Sequence, residues 1–374
     1  MEGTKPRTAS SLGMFDLLKG VGMLLIVFAH TSELYPVGDI STITPVTFFL
    51  FAYRESLMAA FYIASGYGFR KRSIGKCISQ QFKTLFKPYA YTGLATTIAH
   101  FVIHYKTFGN WNNAVYETYK VLGGFVLGLP HTATDFGQEF FSCGPMWYLL
   151  ALMIGWILLD IILNIFPESY IKWAVLGTML LGWGISLVWE APFCIAQGMV
   201  TVPYLYIGFL AKKKRLFEKK FRPLAILGLL AAALGVALGV LLTGKTDCVS
   251  LGEWTMGPVS ILLDGIVGLG FIVLFMKVQR LLDNPVTHLI EAVGRRSLYI
   301  FCIHTVELTA VPWYLMVQKY AAAPTKGLWL QYAVSLGSIF LLCEILLRRR
   351  DVMLKFFPAR RRHFAEHKRY VAKH

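Results

Sequence analysis

Long apolar stretches alternate with short polar segments along almost the whole chain. Each stretch is about as long as the roughly 20 residues that a bilayer core requires. They lie at 17–36, 45–68, 86–105, 145–166, 170–189, 194–211, 223–243, 256–276, 298–317 and 327–347. The pattern predicts an all-α, polytopic membrane protein with about ten transmembrane helices. Residues 1–350 would form one membrane domain, and residues 351–374 would form a basic tail.

Composition supports a membrane protein. The chain has 374 residues, of which 56% are hydrophobic and only 16% are charged, whereas a soluble domain would be about one quarter charged. The first apolar run lacks a small-residue cleavage pattern and is followed by another apolar stretch, so we predict an uncleaved first helix. We expect the protein in the plasma membrane, among its lipids.

Positive charge lies next to the apolar stretches. The net charge of +16 is consistent with nucleic-acid binding, but the basic residues occur as short clusters beside the predicted spans, which argues against it. Placing both termini in the cytoplasm puts most Lys and Arg residues on the inner side, as membrane topology requires. Such clusters also bind anionic headgroups or an anionic ligand.

Cysteine and histidine spacing gives no clear metal site. The six cysteines lack the spacing of metal ligands. His100 and His104 are four residues apart, but no matching carboxylate follows, and we predict no metal. Cys143, Cys194 and Cys248 would all lie on the outer side, where a disulfide between two of them is one alternative and free thiols are the other.

Several ionisable residues interrupt the apolar stretches. Lys19 and His30 lie on the first one with ten residues between them, which places His30 about 16 Å deeper than Lys19 and past the midplane. An ionisable group inside a membrane span is costly, and by default it indicates a functional site. The further examples are Arg54, Glu55, Asp264, His304 and Glu307.

These residues are expected to line a wet cavity enclosed by protein. His304, in the inner half of its span, and Glu307, near the middle, are three residues apart and share a helix face. Less specific interpretations remain open. Arg54 and Asp264 are equally well explained as a structural ion pair between helices, and His304 as a hydrogen-bonded core histidine. The segment 106–144 is either a re-entrant piece over an outward cavity or an amphipathic helix on the surface.

Four motifs, in this order, resemble those of the acyltransferase-3 family of integral membrane acyltransferases. The first is a cation followed by ten residues and a histidine, Lys19 to His30. The second is the run at 58–67 followed by basic residues at 70–72. The third is a Gly-x-x-Trp-x-Leu element that contains Trp147, and the fourth is the Gly-x-x-Ser-x-x-x-Tyr-x-x-His pattern at 294–304. The resemblance covers nearly the whole chain. Ala59 replaces the usual proline, so the second helix is expected to bend less.

The resemblance implies transfer of an acyl group, usually acetyl from cytosolic acetyl-CoA, to a hydroxyl of a glycan or lipid-linked acceptor. The donor phosphates would be held by Lys19, Arg70, Lys71 and Arg72. His30 would act as general base, because imidazole titrates near neutrality.

Further roles follow from residue chemistry alone. Glu33 or Glu307 would orient His30, and Arg54, if it is not paired with Asp264, would stabilise the oxyanion. Trp147, Asp264 and His304 are expected to contact the acceptor.

Several alternatives remain open at this stage. A covalent acetyl-histidine intermediate is as consistent with the sequence as direct transfer, and a longer acyl donor such as succinyl-CoA fits equally. Buried acids and histidines also serve proton-coupled transport, so a transporter or flippase of a lipid-linked glycan is the main competing function. A membrane sensor that docks a partner through its basic tail is a second one.

Overall fold

The protein is almost entirely helical. A computed structural model describes residues 12–35, 45–135, 137–219 and 223–356. Its helices are α1 (Asp16–Ser32), α2 (Pro45–Ala52), α3 (Arg54–Gly68), α4 (Ile74–Gln81), α5 (Lys87–Phe108), α6 (Trp111–Leu127), α7 (Trp147–Ile165), α8 (Glu168–Val188), α9 (Ile195–Lys213), α10 (Pro223–Thr243), α11 (Pro258–Leu281), α12 (Pro285–Arg295), α13 (Ser297–Ala310), α14 (Tyr314–Lys319) and α15 (Pro324–Phe356).

The remaining regular structure is short. A two-stranded antiparallel hairpin joins β1 (Ala133–Asp135) to β2 (Gln138–Phe140). Turns of 3-10 helix precede α1, α7 and α9 and follow α9. The all-α polytopic prediction is therefore confirmed.

Among the described residues, seven helices are long and apolar enough to cross a membrane. The other three predicted spans are helical in different ways. The stretch 45–68 is divided at Tyr53 into α2 and α3, α5 is long but less apolar, and α13 ends at Ala310 after 14 residues. The division at Tyr53 has one consequence for the site, because it makes Arg54 the first residue of α3.

Helices α3 and α9 cross at the centre of the bundle through two glycines. A β-carbon on Gly66 would collide with the backbone of Leu205, and one on Gly208 would collide with the backbone of Ile63. Small residues of this kind let helices pack closely where no hydrophobic effect operates between them. Helices α7 and α8 pack on α9, and α11 packs on α3.

A second close contact joins α1 to α12. Gly20 of α1 lies against the backbone of Ile290, and Gly294 of α12 lies against the backbone of Asp16. Helices α13 and α15 also pack on α1. Because α12 fixes the start of α1, and α13 and α15 flank it, the direction in which α1 presents His30 is set by tertiary contacts.

Residues 74–108 form one continuous helical segment. Helix α4 continues through a π-helical turn (Phe82–Phe86) into α5. Helix α6 returns antiparallel to α5, since His100 Nδ1 lies 2.9 Å from Thr118 Oγ1 and the Tyr89 hydroxyl donates to the carbonyl of Phe125. The segment 106–144 therefore contains a helix packed against the bundle, followed by the β1–β2 hairpin.

Several sequence predictions concern parts that the structure does not describe. The N-terminal tail to residue 11, the connection 36–44 and the basic residues 357–374 lie outside the described ranges. The predicted tail boundary at residue 351 falls inside α15, which runs on to Phe356. All six cysteines lie in the described ranges as free thiols, so the disulfide alternative for Cys143, Cys194 and Cys248 is not realised there.

Candidate active site

His30 is held by a carboxylate on its own helix. It lies in the last turn of α1, and Glu33 is the residue that immediately follows the helix. The imidazole Nδ1 is 3.3 Å from Glu33 Oε2, which leaves Nε2 for another partner. About 30% of the His30 side chain is exposed. A partly accessible imidazole beside a carboxylate has the arrangement of an oriented general base.

Arg54 bridges two carboxylates at the start of α3. Its Nη1 is 3.2 Å from Glu33 Oε1, and its Nε is 3.6 Å from Glu55 Oε1. Glu33 thus contacts the imidazole through one oxygen and the guanidinium through the other. His30, Glu33 and Arg54 form a continuous array across α1 and α3.

The alternative in which Arg54 and Asp264 form an ion pair is not found in the structure. Asp264 is fully buried in α11 and accepts a hydrogen bond from the hydroxyl of Ser56. Arg54 starts α3 beside Glu33, whereas Ser56 lies on the part of α3 that packs on α11, with Gly268 against its backbone. Arg54 and Asp264 are therefore kept apart by the rotation of α3 about its own axis, which directs Arg54 toward α1 and Ser56 toward α11.

A second histidine lies beside the first. The rings of His30 and His304 have centroids 5.7 Å apart, tilted by 37°. His304 is buried and its Nδ1 is 3.2 Å from Glu307 Oε2, while Glu307 Oε1 accepts from the Ser335 hydroxyl at 2.7 Å. Nε2 of His304 has no partner among the described residues. Glu307 therefore orients His304, and Glu33 is the carboxylate that contacts His30.

The end of α13 brings His304 and Glu307 to the level of His30. Sequence placed His304 in the inner half of a span running to residue 317 and Glu307 near its middle. The helix instead ends at Ala310, where Val311 takes an extended backbone just before Pro312. Glu307 is consequently in the last turn, and His304 is one turn before it.

Trp147 is a buried residue next to the turn that packs on α13. It begins α7 and is 8% exposed. The 3-10 turn before it, Gly144–Met146, packs on α13, with Gly144 close to the side chains of Thr305 and Thr309. Trp147 thus lies near the helix that carries His304.

One loop covers Arg54, Glu55 and Asp264 at this end of the bundle. The loop 244–257 joins α10 to α11 and is closed by a backbone bridge between Cys248 and Glu253. The backbone N–H of Val249 donates to Glu55. His131 also holds the loop, because its Nδ1 lies 3.3 Å from the carbonyl of Ser250 and its Nε2 lies 3.0 Å from Glu190 Oε2.

The pKa of His131 reflects this environment. The hydrogen bond from its ring to Glu190 raises the pKa above the ordinary value of 6.5, partial burial opposes the shift, and the charge of Glu190 adds to the increase. The protonated form is therefore favoured in the folded protein. This clamp was not anticipated from the sequence, because neither residue interrupts an apolar stretch.

The opposite end of the bundle is basic. Arg70 and Lys71 follow α3 and are exposed. Arg72 is half-buried, and its backbone N–H donates to Asp160 of α7, so its position is fixed. The Lys212 ammonium of α9 lies over the ring of Tyr67, 5.9 Å from the centroid.

Lys19 lies in the first turn of α1. It is half-buried and stands one helical turn after Phe15, whose ring packs against Tyr67 with centroids 5.4 Å apart. The structure therefore places Lys19 on the face of α1 that leads to the Arg70 end.

The described residues contain no group of three or more His, Cys, Asp or Glu side chains arranged for a metal ion. His100, one of the two closely spaced histidines, bonds Thr118 instead.

Comparison with known proteins gives one result. A family model described as an acyltransferase domain matches residues 13–348. No curated protein and no solved structure matches the chain.

Proposed function

The chain belongs to the acyltransferase-3 family, and we propose that it transfers an acetyl group from cytosolic acetyl-CoA to a hydroxyl of a glycan or lipid-linked acceptor. It is a multi-pass membrane protein, and we place it in the plasma membrane. The observation that carries the proposal is the array in which Glu33 contacts both His30 and Arg54. A base, its orienting carboxylate and a cation are the three groups that acyl transfer to a hydroxyl uses.

In the proposed reaction, the Nε2 atom of His30 removes the proton from the acceptor hydroxyl. The oxygen attacks the thioester carbonyl carbon, and a tetrahedral oxyanion forms. Collapse of this intermediate breaks the carbon–sulfur bond, and the thiolate leaves with the proton that His30 received. The products are the acetyl ester and free coenzyme A, so atoms and charge balance without a metal.

Arg54 is proposed to stabilise the oxyanion. Its guanidinium is already shared between Glu33 and Glu55, so its position is preorganised before substrate enters. His304, with its Nε2 unused within the described residues, would hold the acceptor or the acyl oxygen. Asp264 and Trp147 would lie farther from the reacting atoms and would form part of the acceptor-binding surface.

The basic end would bind the donor. Arg70, Lys71 and Arg72 would offer charge-assisted bonds to the phosphates of coenzyme A, and Lys19 on α1 would add a further cation. From Lys19 to His30 the axial distance is about 16 Å, at 1.5 Å per residue. An extended pantetheine arm spans a distance of this order, so the thioester would reach His30 while the nucleotide stays at the basic end.

The test uses full-length protein in lipid nanodiscs. Calorimetry with acetyl-CoA should give saturable binding. In a separate assay on membranes that contain the protein, labelled acetyl-CoA should transfer its label to a glycan or to a lipid-linked fraction. Acetyl- and succinyl-CoA are compared to define the donor. Absence of binding to folded protein with either thioester would contradict the proposal. Movement of a lipid-linked glycan without any dependence on acetyl-CoA would favour the transporter.

A further inference from the structure

A second, unassigned cavity lies at the same end of the bundle as His30. It is a half-open cleft of about 460 Å³, lined by the ends of α8 and α10 and by the loop 244–257. Pockets for small ligands usually measure about 300–1,000 Å³, so this one has room for one or two sugar rings. Its lining includes Trp183, Trp254, Lys245, Glu253, Thr246 and Thr255.

The lining contains two tryptophan side chains. Trp183 and Trp254 are both half-buried, so each leaves part of its indole accessible. Gly257 has a φ of 57°, and a β-carbon added to it would come into van der Waals contact with the Trp183 ring. A larger residue at Gly257 would be strained in this backbone conformation.

The chemistry of the lining selects among ligand classes. One Lys and one Glu give the cavity no net charge, so it lacks the excess positive charge that would favour a phosphate or a carboxylate. Threonine hydroxyls and two exposed charged groups are unsuited to an acyl chain, which would leave them without hydrogen bonds. A saccharide fits both features, because pyranose rings have an apolar face for an indole and hydroxyls for polar groups.

The cavity and the proposed active site share one loop. Asp247 accepts a hydrogen bond from the backbone of Thr255, which lines the cavity, and Val249 donates to Glu55 beside Arg54. One side of the loop 244–257 thus faces the cavity and the other covers the array around Arg54. A chain of sugars seated in the cavity would therefore contact the same loop that covers that array.

We propose that this cavity, between Trp183 and Trp254, is a saccharide-binding subsite that holds the glycan part of the acceptor. The inference rests on the proposed acyl transfer for its biological role, but binding itself does not. With such a subsite, the acceptor would be a glycan or a lipid-linked glycan. The sugar would be recognised at one place and acylated at another, beside His30.

The binding experiment uses maltose, chitobiose and lactose as probes, detected by saturation-transfer NMR and calorimetry. Full-length protein is placed in nanodiscs, because maltoside detergents carry a competing sugar. At least one disaccharide should bind wild-type protein. Trp183→Ala should raise its Kd about tenfold or more, whereas Trp183→Phe, which keeps a stacking ring, should change it much less.

The matched control is Trp189→Ala. Trp189 is exposed at the end of α8 and does not line the cavity, so its removal should leave the Kd unchanged. Binding by none of the three disaccharides would overturn the proposal. Equal affinity in wild type and in both Trp183→Ala and Trp254→Ala would overturn it as well.

A second readout separates this inference from the proposed function. Slow hydrolysis of acetyl-CoA, with water as acceptor, should persist in Trp183→Ala and disappear in His30→Ala. If hydrolysis depends on His30 but the Kd for the disaccharide is the same with and without the two tryptophans, the transferase proposal stands and the subsite fails. If sugars bind between the tryptophans but wild-type protein shows neither hydrolysis of acetyl-CoA nor acetyl transfer, the proposed function fails and the subsite stands.

Discussion

The imidazole rings of His30 and His304 lie side by side, with centroids 5.7 Å apart, although the two residues come from the first and the penultimate long apolar segments of the chain. Each ring is oriented by a different carboxylate, His30 by Glu33 and His304 by Glu307. The two pairs are not equivalent, because His304 is buried and His30 is partly accessible. This asymmetry favours His30 as the group that meets a mobile substrate.

His30→Ala should reduce acetyl transfer at least about a hundredfold, since loss of a general base typically costs 10² to 10⁴ in rate. The protein should still fold, because the His30 side chain is partly exposed and its hydrogen bond is to Glu33, just beyond the end of α1. The measurement is transfer of labelled acetyl alongside thermal unfolding. His288→Ala is the control, since this half-exposed histidine on α12 lies at the other end. Wild-type activity in His30→Ala would exclude the proposed mechanism.

Glu33→Gln should lower kcat by about 10- to 100-fold and leave acetyl-CoA affinity unchanged, because it loses the charge that orients His30 and pairs with Arg54. Glu307→Gln has the same isosteric change on the neighbouring pair and should have the smaller effect on kcat. Steady-state kinetics with acetyl-CoA as the varied substrate measure both. If Glu307→Gln is the more damaging variant, the base is His304 and the assignments are reversed.

Neutralising Arg70 and Arg72 to Gln should raise the Kd for acetyl-CoA by about tenfold and leave the acceptor KM unchanged, because two phosphate contacts are lost. Calorimetry at low and high salt adds a second test, since screening should weaken wild-type binding more than variant binding. Lys319→Gln with Lys326→Gln is the control, because both are exposed basic residues beyond α13. An equal rise for donor and acceptor would indicate a folding defect.

The clamp between His131 and Glu190 should make the stability of the loop 244–257 depend on pH. Because the folded pKa of His131 is raised above 6.5, the stabilisation is complete below about 6.5 and is lost as pH rises through the raised value. The pair is partly exposed, so the effect should not exceed about 1 kcal/mol.

This prediction is measured as the difference in unfolding temperature between wild type and His131→Gln. The difference should be larger at pH 6 than at pH 9. Glu190→Gln should behave in the same way, and hydrogen exchange of residues 244–257 should report the loosening directly. A difference that does not change with pH would show that His131 acts only by packing.

Gly66→Ala should destabilise the protein by about 1–3 kcal/mol, the usual cost of overpacking, because a β-carbon there meets the backbone of Leu205. Gly177→Ala is a matched control on α8, where a β-carbon has open space; in a helix interior this change should be neutral or stabilising. Thermal unfolding in detergent compares the two. Equal unfolding temperatures for both variants would contradict the close crossing of α3 and α9.

The sequence alone determined the helical, membrane-spanning class, the family, and the placement of Lys19 and His30 on one helix. These features are local or additive: apolar length fixes a span, and helical rise fixes the spacing between residues on the same helix. Glu33 was one of two carboxylates predicted for His30, and proximity along α1 made it available.

Only the tertiary structure decided how residues on different helices pair. Arg54 contacts Glu33 and not Asp264, because the rotation of α3 between α1 and α11 turns the two sides of its first turn toward different partners. His304 reaches His30 because α13 ends at Ala310 and packs on α1. Helix rotation is set by close packing at residues such as Gly20 and Gly66, which a hydrophobic pattern does not encode.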